Sequence, residues 1–174
     1  MLLSESLMKK DAAVKCLEKL TKDTPEHWSY IVDSDGIPAL VNLLVLDNKA
    51  IKAMAVSVLC NISEHRQVCQ ALTTANAGSI LVSLLGSHDN DIKARAAIVL
   101  SDLGCTGDNQ DDLVTQGALS ALVATLESEL EDVLVNAVNA IRVLCMNHSD
   151  NQLEIARCGG VEPLVEFLSI NSGM

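Results

Sequence analysis

Apolar residues in this chain recur with a helical local period. Residues at i, i+4, i+7, i+8 and i+11 line one face of a helix. Three successive stretches carry this face: Ile51, Ala55, Val58, Leu59 and Ile62; then Ile92, Ala96, Val99, Leu100 and Leu103; then Val133, Ala137, Ala140, Ile141 and Leu144. No stretch alternates convincingly with period two, so the pattern predicts helices throughout.

A second, longer period of about 41 residues relates these stretches to one another. Three columns of apolar residues keep it, with spacings of 41 or 42 residues. The columns are Leu40, Leu81, Leu122 and Leu164; Ile31, Leu72, Leu113 and Ile155; and Leu59, Leu100 and Ile141, with Leu17 as an earlier member. Such self-similarity indicates a repeat array. Each unit is predicted to hold a short first helix, a second helix after a glycine break, and a longer third helix after a polar turn.

The repeated unit resembles the armadillo repeat. The matching stretches are GIPALV at residues 36–41, AVSVLCNI at 55–62 and GVEPLV at 160–165. Asn109 and Asn151 fall where the family often has an asparagine that opens its first helix. The resemblance covers essentially the whole chain and implies an all-α, right-handed superhelical α-solenoid with three helices per unit. HEAT repeats, with two helices per unit, are the alternative architecture. Proteins that combine ankyrin and armadillo repeats are candidate parents.

The columns divide residues 1–174 into one array. It consists of a partial unit at 1–24, units at about 25–63, 64–104 and 105–148, and a partial unit at 149–174. Residues 1–3 are expected to form the tail of a second helix, and residues 10–20 a third helix. The last third helix is missing from the pattern. We therefore expect a segment of a longer array, ends that pair with each other, or atypical caps.

Local signals predict where several helices begin. Gly36 is expected to break the first helix of its unit, and Asp47-Asn48 to cap the following third helix. Asp89-Asn90 marks the corresponding turn one unit later. Two capping boxes are predicted, Ser128-x-x-Glu131 and Ser149-x-x-Gln152.

Composition narrows the class of partner. The formal net charge is −11, from 23 acidic and 12 basic residues, and aromatic residues make up 2%. Binding to phosphate backbones requires the opposite charge, and stacking on bases requires aromatic side chains, so no nucleic-acid partner is expected. No apolar run approaches the roughly 20 residues that span a bilayer, so no membrane role is expected. Acidic residues in a groove would favour a basic partner, whereas on the outer face they would only keep the protein soluble.

Six cysteines lie within or beside the predicted helices and lack paired C-x-x-C spacing. They are Cys16, Cys60, Cys69, Cys105, Cys145 and Cys158. Residues 1–10 lack the regions of a signal peptide. We therefore expect reduced thiols and a cytoplasmic location, with the nucleus as a second compartment.

The resemblance also implies a binding surface. In armadillo proteins the third helices line a concave groove that holds extended peptides. The family's binding columns fall on three sets of positions here: Asn61, Asp102 and Val143; Ser57, Ile98 and Asn139; and Arg95 and Asn136. Polar side chains on such a column can pair the free N–H and C=O groups of an extended peptide. No column holds a tryptophan, and the first column keeps the family's amide only at Asn61, which argues against nuclear-signal binding of the importin type.

Metal and catalytic sites have weak support. Cys60, His65 and Cys69 are three candidate zinc ligands, with Cys105 as an unspecified fourth, at spacings unlike those of structural zinc sites. Cys145 and His148 could meet on a helix turn, but a nucleophile also needs an oriented base and an oxyanion site. No glycine-rich phosphate loop or hydrolase signature is present. We expect no enzymatic activity and no cofactor.

Two functions of different classes remain. The first is a protein-interaction scaffold that binds an extended peptide or partner helix in the groove of third helices. The second is a structural spacer that stacks end to end with neighbouring repeats or with copies of itself, through open solenoid ends.

Overall fold

A computed structural model describes residues 2–105 and 109–169, and all regular structure in these ranges is helical. In chain order the helices are α1 (Leu2–Asp23), a 3₁₀ turn (Pro25–His27), α2 (Trp28–Asp33), α3 (Gly36–Leu44), α4 (Lys49–Ile62), α5 (Arg66–Thr74), α6 (Ala77–Leu84), α7 (Asn90–Gly104), α8 (Asn109–Thr115), α9 (Ala118–Thr125), α10 (Glu131–Cys145), α11 (Ser149–Arg157) and α12 (Val161–Ser169).

The helices repeat in threes along one stack. The third helices α1, α4, α7 and α10 pack side by side, each against the next. The second helices α3, α6 and α9 each pack against the third helix of their own unit, and the first helices bridge neighbouring units. The inward columns form one continuous core, in which Leu59, Leu81 and Leu100 have no exposed surface. This arrangement confirms the predicted three-helix solenoid, because each unit buries its apolar faces against its neighbours.

The first partial unit differs from its prediction. Residues 2 and 3 belong to the same continuous helix as residues 10–20, not to the tail of a separate second helix; Met1 lies outside the described residues. The reason is local, because no glycine, proline or polar turn separates Leu3 from Lys10 to end a helix there.

A left-handed residue precedes each of the second helices α3, α6 and α9, and the turn before α12 contains one as well. These residues are Asp35, Asn76, Gly117 and Gly159, with φ of 58°, 53°, 88° and 75°. The predicted break at Gly36 is therefore wrong by one residue, since Gly36 is already the first residue of α3. A Cβ on Gly36 would lie 2.8 Å from the carbonyl oxygen of Ile31. Glycine is needed at this position for close packing, and Asp35 supplies the turn.

Side-chain caps start two of the third helices, and the cap at Asn48 is as predicted. The Asn48 side chain accepts a hydrogen bond from the Ile51 amide at 3.0 Å. Asp89 Oδ1 accepts from the amides of Asp91 and Ile92, at 3.0 and 3.2 Å. Each cap satisfies amides that the first turn of a helix leaves without partners.

Both predicted capping boxes are wrong. The residue that caps α10 is Leu130, and Ser128 lies two positions too early to bond into the first turn. Ser149 is already the first residue of α11, where His148 Nδ1 accepts from the Asn151 amide at 3.3 Å. The S-x-x-E/Q spacing is only useful when the serine itself is the N-cap.

The two asparagines near the starts of α8 and α11 tie these helices to the preceding third helices. Asn109 Nδ2 donates to the Leu103 carbonyl at 3.1 Å, and Asn151 Nδ2 donates to the Leu144 carbonyl at 2.8 Å. Carbonyls at the C-terminal end of a helix lack intrahelical partners, so each amide caps the helix before it.

Candidate functional site

A cavity of about 470 Å³ opens between the N-terminal halves of α7 and α10. It is lined by residues from three successive third helices: Cys60, Asn90, Asp91, Ala94, Arg95, Ile98, Leu130, Glu131, Asp132, Val133 and Asn136. We call this surface the α7–α10 groove. Of the eight positions assigned to peptide binding by sequence, Arg95, Ile98 and Asn136 line it.

The charge of the α7–α10 groove is predominantly negative. Asp91, Glu131 and Asp132 contribute three exposed carboxylates, and Arg95 contributes one guanidinium. Ile98 and Leu130 add apolar surface beside them. The groove therefore combines a predominantly negative electrostatic potential with apolar surface.

Arg95 is held in place by a hydrogen-bonded chain that joins three third helices. Arg95 Nη1 donates to Ser57 Oγ at 2.8 Å, and Ser57 Oγ donates to Glu18 Oε1 at 3.1 Å. Ser57 itself is only 4% exposed. Its side chain therefore positions Arg95 and offers almost no surface of its own to a ligand.

The other predicted positions lie further along the third helices, in varied environments. Asn61 Nδ2 donates to Thr21 Oγ1 at 3.1 Å, and Asp102 accepts from Ser63 Oγ at 2.5 Å. Burial raises the pKa of the Asp102 carboxyl; the Ser63 hydrogen bond opposes this shift and the nearby Glu64 carboxylate adds to it. Asn139 is exposed on α10.

Val143 is the position where the structure departs from the expected groove. Its side chain is 2% exposed, so it has almost no surface for a ligand. A Cβ on Gly104 would lie 3.0 Å from Val143 Cγ1, which shows how closely α10 approaches α7 at this point. The absence of a side chain at Gly104 lets Val143 pack inward, and its carbonyl accepts from Gln110 Nε2 at 2.6 Å.

The acidic lining of the groove was missed by sequence reasoning. Asp91, Glu131 and Asp132 lie in the first turns of α7 and α10, before the columns from which the groove was predicted. The available signal was that 91 and 132 are equivalent in the 41-residue repeat and both hold aspartate. That column of like charge could have been assigned to the groove instead of the outer face.

A family model and a solved structure both agree with the three-helix repeat described above. A family model described as Armadillo/beta-catenin-like repeat matches residues 24–64. A computationally designed armadillo repeat protein for modular peptide recognition superposes with a TM-score of 0.85 at 26% identity, over 92% of this chain and 68% of that one. The chain belongs to the armadillo repeat family.

Another solved armadillo structure contains a ligand. A designed armadillo repeat protein in complex with the peptide (KR)4 superposes with a TM-score of 0.84 at 25% identity, over 92% of this chain and 68% of that one.

Natural relatives include larger proteins that contain armadillo repeats. The human ankyrin and armadillo repeat-containing protein is 33% identical over 152 residues, which is 87% of this chain and 10% of the relative. The mouse protein of the same name is 35% identical over 93% of this chain and 11% of its own length. Importin subunit alpha-1b of Oryza sativa is 33% identical over 90% of this chain and 30% of its own length. This armadillo chain thus spans about a tenth of the first two relatives.

The candidate metal ligands do not come together. Among residues 2–105 and 109–169, no three His, Cys, Asp or Glu side chains are grouped so that they could hold a metal ion. Cys69 Sγ donates to the Ser63 carbonyl at 3.0 Å. Burial raises the pKa of Cys69 to about 11, with contributions from Asp102 and Cys105, so its sulfur stays a protonated thiol at neutral pH.

The candidate nucleophile and base also have separate partners. Cys145 Sγ contacts the Asn151 carbonyl at 3.6 Å, and burial raises the pKa of Cys145. His148 Nδ1 accepts a hydrogen bond from the Asn151 backbone amide. His148 Nε2 lies 2.7 Å from Asp111 Oδ1. Both ring nitrogens of His148 thus serve the junction between α8, α10 and α11.

Within residues 2–105 and 109–169, no helix combines the length and the apolar character that crossing a bilayer requires.

Proposed function

We propose that this armadillo module binds an extended, basic peptide segment of a partner protein in the α7–α10 groove. The observation that carries the proposal is the grouping of Asp91, Glu131 and Asp132 around one cavity of about 470 Å³. The solved complex of a designed armadillo protein with (KR)4 supports it, because that protein has a similar fold and its peptide is basic.

The proposed mode of binding assigns a task to each part of the groove. A lysine or arginine of the peptide lies between the carboxylates of α7 and those of α10, with its stem on Ile98. The Asn136 amide pairs with the peptide backbone, whose N–H and C=O groups are free in an extended segment. Arg95, fixed by Ser57, offers its remaining N–H groups to peptide carbonyls. Asn139, Asn61 and Asp102 are available to a longer peptide along neighbouring turns.

The test is fluorescence anisotropy with labelled (KR)4 and a labelled alternating Glu-Gln peptide of equal length. Asp132→Lys should weaken (KR)4 binding at least tenfold, because it replaces attraction with repulsion in the groove. Asp33→Lys is the matched control, since Asp33 is exposed on α2 and the change in net charge is the same; we expect less than a twofold effect. Equal effects of the two variants, or preference for the acidic peptide, would refute the proposed site.

We propose that the module has no enzymatic activity or cofactor, since its groove holds polar contacts for a peptide and no oriented nucleophile and base. A cytoplasmic location, with the nucleus as a second compartment, remains a proposal that rests on the reduced cysteines. Imaging of the tagged full-length protein in its native cells would test it.

A second candidate function is that of a segment that stacks end to end. The observation in its favour is the exposure of apolar residues on the terminal helices of the solenoid. Leu20 on α1 is 43% exposed, and Val165 and Leu168 on α12 are 55% and 85% exposed.

A further inference from the structure

The balance of charge on the third helices changes from one unit to the next. Residues 47–62, 88–103 and 129–144 are equivalent in the 41-residue repeat, and each stretch contains the turn before a third helix and nearly all of that helix. Their formal net charges are +1 for the α4 stretch, −1 for the α7 stretch and −2 for the α10 stretch. The charged residues are Asp47, Lys49 and Lys52; Asp89, Asp91, Lys93, Arg95 and Asp102; and Glu129, Glu131, Asp132 and Arg142.

The steepest change occurs at one column in the first turns of these helices. Lys49, Asn90 and Glu131 are equivalent at spacings of 41 residues, so the column passes from a cation through a neutral amide to a carboxylate. All three side chains are exposed. Asn90 and Glu131 line the α7–α10 groove. A segment that lies across the row therefore meets a basic residue on its α4 side and acidic residues on its α10 side.

Lys49 lies at the junction of α4 with α7, next to the groove. Its Nζ is 3.1 Å from Oδ2 of Asp89, the residue that caps α7 and directly precedes Asn90. The other carboxylate oxygen of Asp89 accepts from the amides of Asp91 and Ile92, so Asp89 is committed to the cap. The Lys49 side chain is nevertheless 76% exposed. An ammonium has three N–H donors, so Lys49 can bond a carboxylate of a ligand as well as Asp89.

The geometry of the row sets the spacing between the two kinds of contact. Lys49 marks the α4–α7 junction, and Asp91 and Asp132 mark the α7–α10 groove, so the two places are one helix apart. Packed helices lie about 8–10 Å apart, and an extended chain advances about 3.3 Å per residue. About three residues of an extended peptide therefore separate a side chain at Lys49 from one in the groove.

We propose that the partner segment is bipolar: basic residues occupy the α7–α10 groove, and an acidic residue about three positions away pairs with Lys49. The inference rests on the proposed function, because it adds a second contact to the same extended peptide. Lys49 acts as a specificity residue, since it attracts a carboxylate and repels a cation placed over the α4–α7 junction. A uniformly basic peptide such as (KR)4 meets this repulsion, whereas a segment whose charges follow the row does not.

The test is fluorescence anisotropy with labelled, end-blocked peptides of one composition. EEGGKRKR and RKRKGGEE separate the two charges into blocks, and both orders are measured because charge alone does not set the direction of the backbone. KREGGEKR has the same net charge but no gradient of charge along its length. The wild type should bind the better block peptide at least fivefold more tightly than KREGGEKR at low ionic strength, where exposed charges are least screened.

Lys49→Glu should have opposite effects on two ligands. It should weaken the better block peptide at least fivefold and strengthen (KR)4 about twofold, because it exchanges a cation for an anion at the α4–α7 junction. Lys49→Gln removes the cation without placing a carboxylate beside Asp89, and smaller effects in the same directions are expected. Arg66→Glu is the matched control, since Arg66 is exposed on the first helix α5 and the change in net charge is the same. It should change both affinities less than twofold, and far-UV circular dichroism checks that all variants stay helical.

The possible results separate this inference from the function on which it rests. A wild type that binds neither (KR)4 nor a block peptide would overturn the proposed function and the bipolar partner together. Binding of (KR)4 with no preference for either block peptide over KREGGEKR would overturn only the bipolar partner. The bipolar partner would also be wrong if Lys49→Glu shifted both affinities in the same direction, or if Arg66→Glu removed the preference equally well.

Discussion

At the turn between α2 and α3, two adjacent residues meet two different requirements. Asp35 adopts the left-handed conformation, with φ of 58°, and Gly36 leaves room for the backbone of α2. Aspartate and asparagine tolerate the left-handed region better than other L-residues, which is why Asp35 and Asn76 can stand where Gly117 and Gly159 stand in the later units. The need for glycine at Gly36 comes from packing alone.

Gly36→Ala should therefore destabilise the protein. The added Cβ would lie 2.8 Å from both the Ile31 carbonyl oxygen and Ile31 Cγ2, so helix α3 must shift. We expect the free energy of unfolding in urea to fall by about 1–3 kcal/mol. Gly86→Ala is the control, because its Cβ would meet only the Ser83 carbonyl, at 3.4 Å. Equal losses for the two variants would contradict the packing argument.

The caps of α4 and α7 allow a prediction with a defined pH dependence. Although burial opposes it, the Ile92 amide, the Lys49 ammonium and the Asp91 amide hold the pKa of Asp89 below its ordinary value. A carboxyl with a lowered folded-state pKa stabilises the fold above its unfolded pKa of about 3.9 and loses that contribution as the pH falls through the folded value. Asp89→Ala should cost about 1 kcal/mol at pH 7 and less in acid.

Asn48→Ala provides the uncharged comparison for the same measurement. Asn48 caps α4 with a neutral amide oxygen, so the cost of its removal should stay near 1 kcal/mol at both pH values. Urea unfolding at pH 7 and below pH 4 gives the loss of unfolding free energy for each of the two variants at each pH. If the cost of Asp89→Ala were independent of pH, the carboxylate would not be the source of the stabilisation.

At the scale of elements, the third helices form the continuous spine of the molecule and the first helices tie successive units together. A buried amide ties α10 to α11: Asn151 is 3% exposed and donates to the Leu144 carbonyl. A neighbouring amide, Gln152 Nε2, donates to the exposed Cys145 carbonyl at 2.9 Å. The two bonds are similar in geometry and differ in their access to water.

Asn151→Ala should cost about 1–3 kcal/mol of unfolding free energy, because it leaves the buried Leu144 carbonyl without a donor. Gln152→Ala should cost less than about 1 kcal/mol, because water can replace the lost amide at an exposed carbonyl. Chemical denaturation followed by circular dichroism measures both. A larger loss for Gln152→Ala would show that burial does not control the strength of this junction.

The order of the helices and the core residues could be predicted from sequence because both depend on the spacing of apolar residues. These residues recur at helical spacing within a unit and at 41 or 42 residues between units. Leu40, Leu81 and Leu122 are buried as their column requires. The details that were mispredicted depend on non-local contacts. Val143 lies inward because Gly104 on another helix admits it, and Ser57 is covered by Arg95 from the next unit. A column of the repeat fixes a position on a helix, but the neighbouring helix decides whether that position is exposed.

The starts of α10 and α11 were mispredicted because sequence spacing does not by itself identify the capping residue. The capping-box spacing is present at Ser128 and at Ser149, but spacing alone does not reveal which residue leaves the helical conformation first. In the structure His148 takes the capping role at α11, with its ring nitrogen as the acceptor. The acidic first turns of α7 and α10 were likewise visible as a repeated column, yet only the packing of the two helices brings them around one cavity.

At the scale of the whole molecule, the α7–α10 groove lies on a row of third helices, α1, α4, α7 and α10, that pack side by side. The proposed basic peptide would lie across this row, with its cationic side chains at the acidic first turns of α7 and α10.

Peptide binding in the α7–α10 groove is tested most directly by titrating the ¹⁵N-labelled chain with unlabelled (KR)4 and following two-dimensional NMR spectra. We expect saturable shifts of the backbone amides that surround the groove, those of Asp91, Arg95, Glu131, Asp132 and Asn136. The backbone amide resonances of the first helices, such as α5, should not shift. The absence of saturable shifts, or shifts confined to faces other than the α7–α10 groove, would contradict the assignment of this surface as the peptide-binding site.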